Sequence, residues 1–307
     1  SRFHKFIGVF CVICAICGLS LVGHTQGNEP VGVAELKKGD YESAIRLLNA
    51  RLGTNPADAV AQRNLLRALI ETGRYTDAEA AAKKFLVKSP EAGGVRYELG
   101  EVYVATGRYA EAVTEFERAA ADLEKSNETP ADYLQSSLRL AEVLKLTGQE
   151  DRAKTIFASF VKYYTDKDPE TAAELTPIAK ALIHLERYQD ANDMYRAAIE
   201  ADSDYIDAQL GAGELFTEKY NYSDAARFLE DALALNPNSA RAHLAVALNK
   251  RIDGGEELQT ALTRALAINP NYVEAMELKA ALALEAGNFE SATTEIDKAL
   301  KVNARAP

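Results

Sequence analysis

The sequence predicts an all-α chain, a solenoid of about eight helical hairpins, and three periodic features support this prediction. A Gly-x-Tyr triplet recurs every 34 residues, at Gly39, Gly73 and Gly107. Three positions after each Tyr comes a small residue, and this position continues at Ala44, Ala78, Ala112, Ala153, Ala191, Ala225 and Ala292, with Leu258 as the exception. Twelve positions further on, four copies carry a proline: Pro56, Pro90, Pro237 and Pro270. A hairpin of this length buries its apolar faces only by stacking on its neighbours.

Each feature has a role in the predicted hairpin. In the first helices apolar residues recur at helical spacing, as Leu65, Leu66, Leu69 and Ile70 do. A small residue where the two helices cross lets their backbones approach. Glycine in the turn adopts the left-handed conformation that ends a helix, and proline stops the second helix.

Two spacings are longer than the others. The intervals are 41 residues from Ala112 to Ala153 and 38 residues from Ala153 to Ala191, so insertions fall near residues 127–133 and 168–171. We interpret each insertion as an elongated second helix followed by a solvated turn. The alternative is a contact loop, since loops on a rigid scaffold often carry binding residues.

The pattern resembles the tetratricopeptide repeat (TPR), a helix–turn–helix unit of 34 residues. The third copy matches most of the family's packing positions, with Leu99, Gly100, Tyr103, Gly107, Tyr109, Ala112, Phe116 and Ala119. The chain contains no Trp, so the family's aromatic opening residue is absent. The resemblance implies a right-handed superhelical α-solenoid over residues 30–307, with approximate repeats at 25–58, 59–92, 93–126, 134–167, 172–205, 206–238, 239–272 and 273–306.

The N-terminal segment predicts a membrane-associated helix. Residues 6–22, which begin at Phe6 and end at Val22, carry no charge and follow a basic stub at residues 1–5. A helix of 17 residues is just long enough to cross a bilayer core. The positive flank predicts a cytoplasmic N-terminus, with the linker at residues 23–29 and the TPR domain on the periplasmic or external side of an inner (cytoplasmic) membrane.

The same segment also fits a cleavable signal peptide, with possible cleavage after Gly23, Thr25 or Gly27. In that case the domain is periplasmic or secreted. We favour the retained anchor. All three cysteines lie within residues 6–22, so the exported part cannot form a disulfide and depends on packing.

Composition and motifs argue against several functions. The chain has 35 Lys and Arg against 46 Asp and Glu, a net charge of −11, which disfavours a nucleic-acid partner. It has no glycine-rich phosphate loop, no H-E-x-x-H motif and no C-x-x-C pair outside residues 6–22. We therefore expect a non-enzymatic protein with no catalytic residue, cofactor, metal or small-molecule substrate.

The TPR resemblance assigns the concave surface to the first helix of each repeat. This register predicts a mixed polar and apolar lining that suits an extended peptide or a partner helix. The predicted partner-binding residues are Arg63, Arg67, Tyr97, Glu101, Leu138, Glu142, Lys180, His184, Leu210, Glu214 and His243. The alternative is that these residues are merely solvated and that contact occurs on the outer face or at one end.

Together these features predict a membrane-anchored scaffold that binds other proteins, as an accessory or assembly subunit of a bacterial membrane complex. One alternative is a secreted or periplasmic TPR adaptor with its signal removed. Another is the regulatory part of a longer enzyme that continues beyond Pro307.

Overall fold

The computed structural model describes residues 30–126 and 130–306, and within these ranges all regular secondary structure is helical. The basic stub, the anchor or signal segment and the linker predicted at residues 1–29 lie outside the described residues. Among the helices that are described, none combines the length and the apolar character needed to cross a bilayer.

Sixteen helices follow one another along the described part of the chain. They are α1 (Val33–Lys37), α2 (Tyr41–Thr54), α3 (Ala59–Glu71), α4 (Tyr75–Lys88), α5 (Gly93–Ala105), α6 (Tyr109–Lys125), α7 (Pro130–Leu146), α8 (Glu150–Lys167), α9 (Ala172–His184), α10 (Tyr188–Ala201), α11 (Ile206–Glu218), α12 (Tyr222–Leu235), α13 (Ala240–Asn249), α14 (Gly255–Ile268), α15 (Val273–Glu285) and α16 (Phe289–Val302). Consecutive helices pack as eight antiparallel pairs, which we number as repeats 1 to 8.

The small residues that set the period lie where the sequence places them. Ala44, Ala78 and Ala112 are completely buried between the helices of their repeats, and the exceptional Leu258 is 3% exposed. Since no Cβ-branched or long side chain separates the helices at the alanine positions, the backbones pack closely there. The predicted hairpin period is confirmed.

The two insertions lengthen helices, as predicted. α6 and α8 have 17 and 18 residues, against 14 in most other second helices. In repeat 4, α7 begins at Pro130, four residues before the approximate start predicted at residue 134. Proline suits a first helical turn, where its missing N–H leaves no hydrogen bond unmade. The added turn carries Asp132, which reaches the concave side.

The solenoid coils back on itself, so that repeats 1, 2 and 3 contact repeats 6, 7 and 8. In the middle contact the Asn269 amide donates to the Tyr75 hydroxyl at 3.1 Å and to the Ile70 carbonyl at 3.4 Å. The Asn271 amide donates to the Gly73 carbonyl at 2.9 Å. We call these the inter-turn contacts.

Equivalent asparagine–tyrosine hydrogen bonds occur one hairpin earlier and one hairpin later in the chain. Asn236 donates to the Tyr41 hydroxyl at 3.1 Å, and Asn303 donates to the Tyr109 hydroxyl at 3.2 Å. All three asparagines are buried, at 5 to 7% exposure, and buried amides require such partners. The inter-turn contacts therefore join the two ends of the solenoid and narrow the space that it encloses.

Candidate partner-binding lumen

The coiled solenoid encloses a cavity of about 980 Å³, which we call the lumen. Seven of the eight first helices contribute to its wall, together with the loop before α11. Val60 lies in this wall with 54% of its surface exposed, and Asn64 lies one turn further along α3. Three groups of charged side chains lie on the first helices, and Arg63, Arg67, Asp132, Asp207 and Arg241 of the first and third groups line this wall.

The first group joins α3, α5 and α7. Arg63 Nη1 lies 2.8 Å from Asp132 Oδ1, and its Nε lies 3.5 Å from Glu98 Oε1. Arg67 Nε lies 3.6 Å from the same Glu98 oxygen. Two guanidinium groups thus share one carboxylate. The Arg67 side chain keeps 42% of its surface exposed, so it is the more available of the two cations for a partner in the lumen.

Burial sets the acidity of Glu98, which is 3% exposed. Loss of hydration raises its pKa to about 7, although Arg67 and Arg63 act in the opposite direction. Glu101, one turn away, raises the pKa further. Glu98 therefore changes charge near neutral pH, and with it the net charge of the first group.

We expect the free energy of unfolding to fall as the pH rises from about 5 to about 7. In this range folded Glu98 retains a proton that the unfolded carboxyl has released, so raising the pH favours the unfolded state by up to about 1.4 kcal/mol per pH unit. Denaturant unfolding of the chain with Glu98→Gln should show a flatter pH profile, whereas Glu91→Gln at an exposed position should keep it. Equal slopes in the two variants would contradict this assignment.

The second group is centred on Arg139 of α7. Its guanidinium donates to both oxygens of Glu101, at 2.6 and 2.9 Å, and also pairs with Glu142. His184 Nε2 lies 3.4 Å from Glu142 Oε1, and its ring stacks on Phe157 at 4.4 Å. Burial by itself would raise the pKa of Glu142, but Arg139 and His184 lower it below its usual range. Glu142 is therefore ionised under physiological conditions.

The third group is centred on Arg241 of α13. Its guanidinium donates to both oxygens of Glu214, at 2.8 and 2.6 Å, and to Asp207 at 3.0 Å. Lys180 of α9 lies between this group and the second. Burial and Arg241 lower the pKa of Lys180, while Asp207 and Glu214 raise it. The groups thus form an almost continuous polar band along the first helices.

The structure brings together most of the predicted partner-binding residues. Arg63, Arg67, Glu101, Glu142 and Glu214 belong to the three charged groups, and His184 and Lys180 adjoin them. Leu210 contributes apolar surface to the lumen wall. Their binding role stays a prediction, since position alone does not demonstrate a partner.

Three further predicted residues contribute no charge to these groups. Leu138 is 3% exposed and belongs to the hydrophobic core, whereas Arg139, the next residue, belongs to the second group. Tyr97 is 7% exposed, with its ring packed against Phe116 at 5.7 Å and the Arg63 guanidinium 5.9 Å from the ring centroid, so it is a buried neighbour of the first group.

The third, His243, does not join the lumen groups. Its Nε2 lies 3.0 Å from the Pro237 carbonyl oxygen, and Arg264 of α14 helps to lower its pKa after the larger effect of burial. In repeat 7 the residue that lines the lumen is Arg241, two positions before His243.

Sequence reasoning missed Glu98, Asp132, Arg139, Asp207 and Arg241. A signal for several of them was present, since Glu98 and Arg139 stand three residues before Glu101 and Glu142, on the same helix face. Arg241 is the single Lys, Arg, Asp or Glu in α13, and such a residue in an otherwise apolar first helix indicates the polar side.

Among the described residues no cluster of His, Cys, Asp or Glu has the composition and spacing of a metal site. The charged groups instead neutralise one another by direct pairing. What this arrangement offers is a polar wall with apolar patches, which suits recognition of a polypeptide.

Family models of the tetratricopeptide repeat match residues 35–85, 65–128, 135–166 and 182–248. The chain belongs to the tetratricopeptide repeat proteins. Two rice (Oryza sativa subsp. japonica) proteins are similar to this TPR chain, "DnaJ protein P58IPK homolog B" at 25% identity over 281 residues and "DnaJ protein P58IPK homolog A" at 23% over 284 residues. Each alignment covers 84% of this chain and 59% or 58% of the relative, so the chain spans less than two thirds of their length.

Among solved structures, the TPR chain in the Cut9–Hcn1 hetero-tetramer of the APC/C is similar in fold, with a TM-score of 0.53 at 15% identity. The match covers 87% of this chain and 50% of that one. At this identity the likeness concerns the fold alone.

Proposed function

We propose that this TPR protein is a non-enzymatic scaffold that binds an extended segment of a partner protein in its lumen. The observation that supports this most directly is the polar band on the first helices, part of which, at Arg63, Arg67 and Arg241, lines a cavity of about 980 Å³. TPR proteins present such surfaces to protein or peptide partners, and the solved relative Cut9 is itself part of a hetero-tetramer.

The inter-turn contacts favour an extended occupant. They join repeats 1–3 to repeats 6–8 and so limit entry between successive turns of the solenoid. A strand-like or helical segment fits such a space, whereas a folded domain requires the contacts to open. Apolar wall residues such as Val60 provide pockets beside the charged groups.

We further propose that residues 6–22 hold the scaffold at the cytoplasmic membrane, as an accessory or assembly subunit of a membrane complex. The uncharged run behind a basic stub supports this topology. Carbonate extraction tests it, because a retained span stays in the membrane fraction and a cleaved periplasmic form is released.

Site-specific photocrosslinking tests the lumen as the binding surface. A photoreactive residue at Asn64 should capture a partner after gentle solubilisation of membranes, while the same residue at Arg118, 60% exposed on α6, should not. Mass spectrometry then identifies the adduct. If only the photoreactive residue at position 118 captured a partner, the outer face and not the lumen would be the binding surface.

Arg67 should contribute to affinity for a partner with acidic side chains. Because Arg67 shares Glu98 with Arg63 and is 42% exposed, Arg67→Gln should weaken binding of the captured segment about fivefold or more with little effect on folding. Isothermal titration calorimetry measures the change, and Arg118→Gln serves as the control. Unchanged affinity in Arg67→Gln would exclude this cation from the interface.

A further inference from the structure

Each repeat presents two edges. We call the junction from first to second helix the turn, and the end of the second helix the corner. Inside this chain the turns of repeats 1–3 are covered by the corners of repeats 6–8. Each covered turn therefore meets the corner that lies five repeats further along the solenoid.

Every docked corner has the same geometry. The first residue is an asparagine whose Oδ1 accepts the backbone N–H two residues later, at 2.8 to 3.0 Å. Its amide then donates to the tyrosine that opens the second helix of the covered repeat. The fit is close, since a Cβ built on the turn glycines Gly39, Gly73 or Gly107 would lie only 1.9 to 2.2 Å from the asparagine Oδ1.

The turns of repeats 4–8 have no such cover within the described residues. A Cβ built on Gly148, Gly254 or Gly287 would meet nothing within 4 Å. Large apolar side chains are also exposed along this edge, namely Leu146 at 62%, Tyr220 at 78%, Ile252 at 68%, Leu284 at 47% and Phe289 at 70%. In contrast, Tyr41 and Tyr75 of the covered turns are 5% and 9% exposed.

The corners of repeats 1, 2 and 5 provide the complementary edge. Repeat 1 ends in Asn55-Pro56. The same Asn-Pro dipeptide begins the docked corners at Asn236 and Asn269. Repeat 5 ends at Asp202, whose Oδ1 accepts the Asp204 N–H at 3.0 Å, the geometry of the docked corners. Val87, beside the corner of repeat 2, is 84% exposed.

We propose that a second copy of this chain docks head to tail and continues the solenoid, so that its repeats 1–5 cover the turns of repeats 4–8. The internal offset of five repeats gives this register, in which the longer helices α6 and α8 extend the corners that face the turns of repeats 6 and 7. It also matches complementary groups: the Asn55 amide faces the Glu150 carboxylate, Asp202 faces the Asn288 amide, and Glu91 lies near Arg187. Because the contact is heterologous, it extends beyond a dimer as concentration rises.

Cysteine pairing tests the register without any partner protein in the lumen. Two preparations of the full chain, one with Asp202→Cys and one with Asn288→Cys, are mixed and oxidised, and linked peptides are identified by mass spectrometry. We expect a link between positions 202 and 288 of different copies. Asp202→Cys mixed with Glu150→Cys, four repeats out of register, should give none. Absence of the link between positions 202 and 288, or equal yields of this link and the link between positions 202 and 150, would overturn the proposal.

Assembly in solution gives a second measurement. Sedimentation velocity of the full chain in detergent micelles should show species heavier than one copy, whose fraction increases with concentration. Tyr220→Lys with Phe289→Lys should shift the distribution to monomer, while Ala80→Lys, at an exposed position in the middle of α4, should not. A monomer at all concentrations would overturn the proposal. The exposed turns of repeats 4–8 would then be available to additional repeats of a longer chain.

Discussion

Gly73→Ala is expected to destabilise the chain by about 2 kcal/mol more than Gly148→Ala. Both glycines end a first helix with positive φ, 72° and 79°, so both substitutions carry the same backbone strain of about 1–2 kcal/mol. Only at Gly73 does the new methyl group meet an obstacle, because its Cβ would lie 2.2 Å from Asn269 Oδ1. Asn269 must then move, and its buried hydrogen bonds to Tyr75 and Ile70 are lost.

Equilibrium unfolding in guanidinium chloride, followed by circular dichroism, measures the two losses of free energy. Since Asn269 ties repeat 7 to repeat 2, we also expect Gly73→Ala to broaden the transition as the two ends of the solenoid begin to unfold separately. Equal destabilisation by the two variants would show that the inter-turn contacts contribute little in solution.

The second large effect is expected from Arg139→Met. Arg139 is the partner of both Glu101 and Glu142, which are only about one fifth exposed. Removing the cation leaves two poorly hydrated carboxylates close together, and such losses destabilise by about 3 kcal/mol or more. Methionine retains most of the aliphatic volume, so the effect reports the missing charge rather than a cavity.

Arg187→Met provides the matched control. Arg187 pairs with Asp190 three residues later at 2.6 Å, but both side chains are about half exposed, so the loss should stay below about 1 kcal/mol. Thermal unfolding at pH 7 compares the variants. If Arg139→Met is as stable as Arg187→Met, the second charged group is better hydrated than its burial indicates. Arg139→Met with Glu101→Gln should recover part of the lost stability, because one uncompensated carboxylate is removed.

The inter-turn contacts change how this solenoid responds to mutation. In an open array each repeat touches only its neighbours, and stability is close to a sum of local terms. Here a residue in repeat 2 is coupled to one in repeat 7 across 194 positions of sequence. Substitutions at Tyr75 and Asn269 should therefore be non-additive, although they are far apart along the chain.

Much of the fold could be predicted from residue spacing. The interval between Gly39, Gly73 and Gly107 gave the hairpin period, and the alanines marked the helix crossings, because these features arise within one repeat. The boundary of repeat 4 was harder, since an added turn of α7 continues the same helical pattern. In the structure Arg63, Arg67 and Glu142 belong to the charged groups on the first helices, whereas Leu138 and His243 stand one and two residues from the group members Arg139 and Arg241.

The sequence by itself determined the helical hairpin, its period and the polar character of the first helices, because each depends on residues within about forty positions of one another. Only the tertiary structure decided which carboxylate each arginine meets, that Glu98 lies buried between two guanidinium groups, and that asparagines of repeats 6–8 close over the turns of repeats 1–3. These depend on the curvature that accumulates from small rotations between stacked repeats. A change of a few degrees per repeat would separate Asn269 from Tyr75, and no local pattern in the sequence specifies that angle.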